Sequence, residues 1–234
     1  MKKLFLFCCS AILINAAHAQ KTEFSGNLNS GFFTFRGIST EKVSGFNTYS
    51  NKPAEGYTNN PYSSNLGAAY GLSAQVQRVT RKHLIVGANL GFEVLKSNME
   101  INSIYDARGN ALAATGHSSI TYHFVNLYPF AGYRFTLDCL QFDLLGGFDI
   151  AKPIKAHEKG TATDYAGNKF TSSLDRPLDA LDVRGRLQVN AFYKKAGLSL
   201  SFAEGITNYK EGWIGGTNLV FSRLYRIGLI YKIN

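Results

Sequence analysis

Few residues in this chain are of types that make or break bonds, and they are poorly placed for it. Gly116-His117-Ser118-Ser119 sets a His two positions before a Ser, the spacing of a base and a hydroxyl nucleophile. Such a pair cleaves an ester only when a third group orients the imidazole. After His117 no Asp or Glu occurs until Asp138, so the orienting acid is missing from the expected stretch. His83, His123 and His157 are scattered without the short ligand spacings of a metal site. Of three cysteines, Cys8 and Cys9 lie in the apolar N-terminal stretch, and Cys139 is left alone, which excludes a disulfide framework or a Cys-based zinc site. The expectation is a chain without catalytic residues, metal or cofactor.

Charge in strict alternation is far more abundant. From Leu181 onward, Asp182, Arg184 and Arg186 alternate with Leu181, Val183 and Leu187. The same period of two sets Glu93 against Phe92 and Val94, and Asp143 and Asp149 against Phe142, Leu144, Phe148 and Ile150. Arg134 and Arg226 lie in similar segments. Period-two patterning is the signature of a strand with two unlike faces. Eight such segments are predicted: Phe24 to Gly37, Leu66 to Arg78, His83 to Lys96, Ile120 to Leu137, Leu140 to Ile150, Leu181 to Tyr193, Ala196 to Glu204 and Asn218 to Ile233. Several exceed the usual strand of about 5 to 6 residues.

The connections alternate in length. Thr80 to Lys82, Asp138-Cys139 and Lys194-Lys195 are short turns, whereas Ile38 to Asn65, Ser97 to Ser119, Pro153 to Ala180 and Gly205 to Thr217 are long. An even strand count with short turns at one end and long loops at the other is the pattern of an outer-membrane barrel. The predicted fold is therefore all-β, an eight-stranded antiparallel up-and-down transmembrane β-barrel with short periplasmic turns and long extracellular loops. Charge decides which face meets lipid, since an Arg at the bilayer midplane costs roughly 2 to 4 kcal/mol. Glu93, Arg134, Asp143, Asp149, Asp182, Arg184, Arg186 and Arg226 are thus expected to point inward as a lumen polar network. Eight strands leave a lumen that side chains can fill, so a plug is expected before a narrow pore for small solutes. Asp138 and Cys139 as the central turn residues would pair Leu137 with Leu140, Phe135 with Phe142, and Arg134 with Asp143.

Composition agrees with this class. The chain has 234 residues, 45% hydrophobic, 13% aromatic and 18% charged, too apolar for disorder and rich in strand-forming aromatics. Residues 1 to 19 read as a cleaved signal peptide: Lys2 and Lys3, an apolar run, then Ala17-His18-Ala19. Residues 20 to 234 form the barrel domain, placed in the outer membrane of a Gram-negative bacterium. Two places fit poorly. The first strand changes apolar phase from Phe24, Leu28 and Phe32 to Phe33 and Phe35, which suggests a bulge or an early exit from the membrane, and Pro129 interrupts the fourth strand without a ladder donor.

The net charge of +9 invites a nucleic-acid reading, but the four long connections hold eight Lys or Arg and nine Asp or Glu. The positive excess sits in strands and at the short turns, around Arg78, Arg81, Lys82, Lys194 and Lys195, which suits membrane-interface anchoring and not nucleic acid. Function is expected in the long loops, where Tyr49, Tyr57, Tyr62, Tyr105, Tyr165, Tyr209 and Trp213 are candidate contacts to a protein or glycan partner.

The strand pair from Tyr70 to Val94, with Asn126-Leu127-Tyr128-Pro129 and Gly197 to Phe202 (GLSLSF), resembles the PorT-like outer-membrane β-barrel family of Bacteroidetes. The resemblance implies location in the outer membrane and names no activity, since that family joins a component linked to protein secretion with many members of unknown role. Barrels of this kind commonly end in an aromatic residue, whereas this chain ends Tyr231-Lys232-Ile233-Asn234. The His117-x-Ser119 spacing resembles the motif of lipid A deacylase barrels, which keeps a lipid A-modifying enzyme as an alternative. The favoured expectation is a non-catalytic surface scaffold or interaction protein in outer-membrane lipid.

Overall fold

The computed structural model describes residues 21–178, 181–212 and 215–233. The expected signal peptide, and Trp213 among the candidate loop contacts, lie outside the described residues. The described residues form eleven strands: β1 (Lys21–Arg36), β2 (Val43–Tyr49), β3 (Lys52–Thr58), β4 (Gly67–Val79), β5 (Leu84–Tyr105), β6 (Ala111–Leu137), β7 (Leu140–Asp164), β8 (Lys169–Asp175), β9 (Asp182–Tyr193), β10 (Ala196–Gly205) and β11 (Phe221–Lys232).

The protein is all-β, but the expected count of eight is corrected to eleven. Segments expected to be strands contain β1, β4, β5, β6, β7, β9, β10 and β11; β2, β3 and β8 arise from stretches expected to be loops. Those eight strands pair antiparallel in the circuit β1-β4-β5-β6-β7-β9-β10-β11, and β11 pairs back onto β1. A second circuit shares three of these strands, running β5-β6-β7-β8-β3-β2, with β2 laid parallel on β5. The β2–β5 and β3–β8 ladders are parallel, which corrects the expectation of a purely antiparallel sheet.

The hairpin turns follow from local chemistry. His83, Asp138 and Lys194 have φ of 62°, 49° and 55°, the left-handed values that tight turns between twisted strands require. The Asp138-Cys139 turn sets the anticipated register, with Leu137 opposite Leu140, Phe135 opposite Phe142 and Arg134 opposite Asp143. At the other end, β5, β6 and β7 run on for many residues beyond the segments expected from their apolar alternation. The long connections after Ser97 and Pro153 are therefore largely strand, a correction to their reading as loops.

The suspected break in β1 is also corrected. Its ladders to β4 and β11 are continuous from end to end, so no bulge is present. Phe33 and Phe35 keep the inward parity of Glu23, Ser25 and Asn27; what changes is the interior they enter. Pro129 pairs with Ala88 on the β5 side, while the β6–β7 ladder skips Tyr128 and Pro129, a gap that suits a residue without an N–H.

Candidate functional site

Alternation along the eight-strand circuit sorts the side chains by an inverted rule. Leu28, Leu72, Val86, Leu90, Phe135, Leu144, Leu187, Leu200, Ile227 and Leu229 are exposed on the outside. All eight residues expected in the interior network are buried: Glu93, Arg134, Asp143, Asp149, Asp182, Arg184, Arg186 and Arg226.

The buried charges form two groups. Nearer the short turns, Arg134 Nε and Nη2 donate to Asp143 Oδ1 and Oδ2 at 2.6 and 2.8 Å. Its Nη1 and Nη2 also donate to Glu23 Oε1 and Oε2 at 2.9 and 2.7 Å. Gln77 Nε2 donates to both carboxylates, and Lys232 Nζ lies 3.5 Å from Glu23 and 4.0 Å from the Phe192 ring centroid. Two buried carboxylates thus face two buried cations, and the exposed Lys21 also lies 3.4 Å from Glu23. Glu23 is a member that the sequence reading missed, although Glu23, Ser25 and Asn27 alternate with Phe24, Gly26 and Leu28 as in the other strands.

The second group lies further along the interior. Arg226 binds Glu93 at 2.6 Å and Asp149 at 2.6 Å, and Arg184 binds Asp182 at 2.6 Å while lying 3.5 Å from Asp149. Arg186 lies 4.0 Å from Asp149, donates to Gln188 Oε1 at 2.6 Å, and stacks its guanidinium 4.3 Å over the Tyr128 ring. Asn126 donates to Asp149 at 2.9 Å. Three carboxylates face three arginines, so this group is also neutral. Arg184 is 0% exposed, a burial that charged groups tolerate only when paired and hydrogen-bonded.

Above these charges the interior turns aromatic. Phe33, Phe35, Tyr122, Phe124, Tyr62 and Tyr209 belong to one buried cluster, with Phe35 in edge contact with Tyr62 and Tyr209 at 5.2 and 5.1 Å. Tyr209 donates its hydroxyl to Asp182 Oδ2 at 2.6 Å, tying the cluster to the charges below. Burial and the neighbouring Asp182 carboxylate raise the Tyr209 phenol well above its ordinary pKa. Tyr62 and Tyr209 were expected as exposed loop contacts; they are corrected to interior residues, because the loops that carry them fold into the mouth.

The remaining loop aromatics lie in the upper circuit and its tips. Tyr49 and Tyr57 are part-exposed and lie 5.6 Å apart on the β2–β3 hairpin; Tyr105 is exposed, and Tyr165 is 85% exposed. Inside this circuit sits an apolar cluster of Phe46, Met99, Ile101, Ile104, Ala114 and Ala162. Next to it the buried Glu158 accepts from Thr58 N at 2.8 Å and from Arg176 Nε at 2.6 Å. Two hairpin tips repeat one motif missed in the sequence, Asp106-Ala-Arg-Gly-Asn110 and Asp164-Tyr-Ala-Gly-Asn168. In each, the Asp Oδ1 accepts the Asn backbone N–H and Oδ2 accepts its amide, while Gly109 and Gly167 take φ of 84° and 86°. These bonds hold both carboxyls below the usual Asp range.

His117, expected in a loop, is corrected to a strand position in β6. Its cross-strand neighbour on β5 is Glu100, an acid earlier in the chain that reading forward from His117 misses. Ser119 lies opposite Asn98, and Ser118 points inward to Thr58 at 2.6 Å. Among the described residues no side-chain hydrogen bond joins His117, Ser119 and Glu100, and no three metal-binding side chains converge.

No family model matches the chain, and no curated protein matches it. Among solved structures it is similar to Ail, the attachment invasion locus protein of Yersinia pestis, in complex with a heparin analogue, at 11% identity and a TM-score of 0.36 over 91% of this chain and 99% of that one. It is also similar to Neisserial surface protein A, at 10% identity and a TM-score of 0.34, with the same coverage. The translocator domain of the autotransporter NalP from Neisseria meningitidis matches at 10% identity and a TM-score of 0.33, over 98% and 95%.

Proposed function

We propose that the chain is a non-catalytic outer-membrane β-barrel, exported through a cleaved signal peptide, whose eight-strand circuit spans the bilayer and whose upper circuit is a surface-exposed scaffold for a protein or glycan partner. One observation carries this reading: the circuit buries its charges and exposes its large apolar side chains. In water such a surface would forfeit roughly 1.5 to 3 kcal/mol for each outward Leu, Val or Phe, whereas in hydrocarbon it is solvated.

The dimensions agree. On β5 the outward face is apolar from Leu84 to Val94 and turns to Lys96, a run of roughly 34 Å along the strand. At the usual tilt of about 40° this gives roughly the 25 Å height of a lipid-facing band. Aromatic side chains bound it at both ends, with Tyr133, Phe135, Tyr193 and Tyr231 toward the short turns and Phe32, Tyr225 and Phe202 side by side toward the other. Paired Tyr and Phe rows at these heights suit the two membrane interfaces.

The pore alternative is disfavoured, because both charge groups are internally neutral and the aromatic cluster lies across the path above them. The lipid A-modifying alternative lacks a bonded His–Ser–acid arrangement, and His117 lies well beyond the point where the β6 outer face ceases to be apolar at Val125. The family resemblance carried by Tyr70 to Val94 fits this reading without narrowing it. Cell fractionation with heat-modifiable gel mobility tests it: the expected result is membrane recovery with a faster-migrating unheated form, and recovery as a soluble periplasmic protein overturns it.

A further inference from the structure

Just above the apolar band, the outward face of one sector becomes basic. Val94 of β5 faces His123 of β6, and His123 faces Lys155 of β7. Lys96 is two residues beyond Val94, and Lys152 faces Val125. The three lysines are exposed and His123 is partly so. A register shift in the β6–β7 ladder between His123 and Phe124 lets Lys152 and Lys155, three apart in sequence, share the outer face. Bulges at barrel rims re-aim side chains in this way. Neighbours on one face of a sheet lie about 5 to 8 Å apart, so these cations crowd a patch only a few residues wide.

Among the described residues no acidic side chain on that face offsets them. Glu100 lies further up β5 opposite His117, Asp175 is engaged by His157, and Glu158 points inward to Arg176. None of the ion pairs among the described residues includes Lys96, Lys152 or Lys155. The opposite side of the rim differs: there Arg36 and Arg223 both pair with Glu204. Like charges held together at a membrane interface repel unless an anion sits among them, and an anionic lipid headgroup is the group at that depth.

We propose that Lys96, Lys152 and Lys155, with His123, bind the phosphate groups of a phosphorylated glycolipid in the outer leaflet. This rests on the membrane-spanning reading above. The site makes β5, β6 and β7, which also carry the upper circuit, the face of the barrel that holds anionic lipid.

The test uses the full mature chain reconstituted in phosphatidylcholine bilayers containing bisphosphorylated lipid A or its dephosphorylated form, and compares it with Lys96→Gln/Lys152→Gln/Lys155→Gln. Lipid retained by the purified protein is measured by mass spectrometry, and heat-modifiable mobility confirms insertion. The natural chain is expected to retain the phosphorylated form preferentially, with about fivefold loss for each lysine removed. Lys→Arg replacements at the same positions should keep the preference. Equal retention of both lipid A forms, undiminished retention by the triple variant, or displacement by millimolar inorganic phosphate would each overturn the proposal. Failure to insert into plain phosphatidylcholine would overturn the membrane reading, and this proposal with it; the gel shift identifies that outcome separately.

Discussion

Arg134 is the most connected group in the lower charge cluster, and its removal yields the sharpest expectation. Its guanidinium makes two bonds to Asp143 and two to Glu23, all between 2.6 and 2.9 Å. Arg134→Met would leave two buried carboxylates, with the buried Lys232 at 3.5 Å and the exposed Lys21 at 3.4 Å from Glu23 as the remaining cations. Breaking a buried pair by deleting one partner costs about 3 to 5 kcal/mol, and a residue serving two partners belongs at the upper end. Asp143→Leu leaves Arg134 bonded to Glu23 in fork geometry, so it belongs at the lower end. The double variant removes one charge of each sign and leaves Glu23 facing the buried Lys232, with the exposed Lys21 beside it, so no buried carboxylate is left uncompensated. It should therefore be far less destabilised than the two single variants combined, with a coupling of about 2 to 3 kcal/mol. Equilibrium urea unfolding from lipid vesicles, followed by tryptophan fluorescence and gel mobility, measures all four corners of the cycle. Additivity within about 0.5 kcal/mol would mean that the two side chains do not interact, and the neutral-cluster account of the interior would fall with it.

Other expectations follow from the same geometry. Tyr209→Phe removes the donor to Asp182 and should cost about 1 to 3 kcal/mol in the same unfolding assay, while Tyr165→Phe, at an exposed tip, should stay within about 0.5 kcal/mol. Single-channel recording across planar bilayers should show no steady conductance; a steady open level in the natural chain would restore the pore reading. Cells carrying His117→Ala should give the same lipid A mass spectrum as cells with the natural chain, and an acyl-chain difference abolished by that change would restore the enzyme. The Asp106 and Asp164 carboxyls are depressed in the folded hairpins by bonds from Asn110 and Asn168, so their contribution is present above the ordinary Asp pKa and is lost as pH falls through the depressed folded values. Protection of the Asn110 and Asn168 amides, taken as exchange relative to the intrinsic rate at each pH, should fall on acidification, and Asp106→Ala should make the first tip's protection independent of pH in that range.

The lower circuit was legible because each face has a constant character there. Outward Leu and Val against inward Asp and Arg give an unbroken period of two, and a single turn, Asp138-Cys139, then sets which residues oppose each other. Legibility failed where the faces changed character, on β1 without a change of parity and on β7 together with one at the register shift. On β7 the outward residues become Lys152, Lys155 and Lys159 while the inward ones become Ala156, Glu158 and Gly160, so apolarity no longer tracks the face. The strand continues, but its hydrophobic signal vanishes. Phe33 and Phe35 mislead in the opposite way, since two apolar residues on the inward face of β1 look like a slipped register when they are in fact the start of an aromatic interior. Tyr62 and Tyr209 carried no sequence signal of burial, because a loop that folds back into a mouth is chosen by the cavity it fills.

One physical constraint links the two circuits. β5, β6 and β7 leave the lower circuit still needing partners on both edges, and a bare edge is a row of unsatisfied amides and carbonyls. β2 satisfies the β5 edge and β8 the β7 edge, while β3 joins the two through the ladder to β2 and the single pair Glu55–Thr171. That single pair is the thinnest seam in the assembly. Glu158 and Arg176 reinforce it from inside, since Glu158 on β7 holds the end of β3 through Thr58 and the segment after β8 through Arg176. A buried carboxylate with no part in the two lower charge groups thus has a structural reason to be there: it fastens the upper circuit, the part of the chain proposed to meet a partner, onto the strands that rise from the lower circuit.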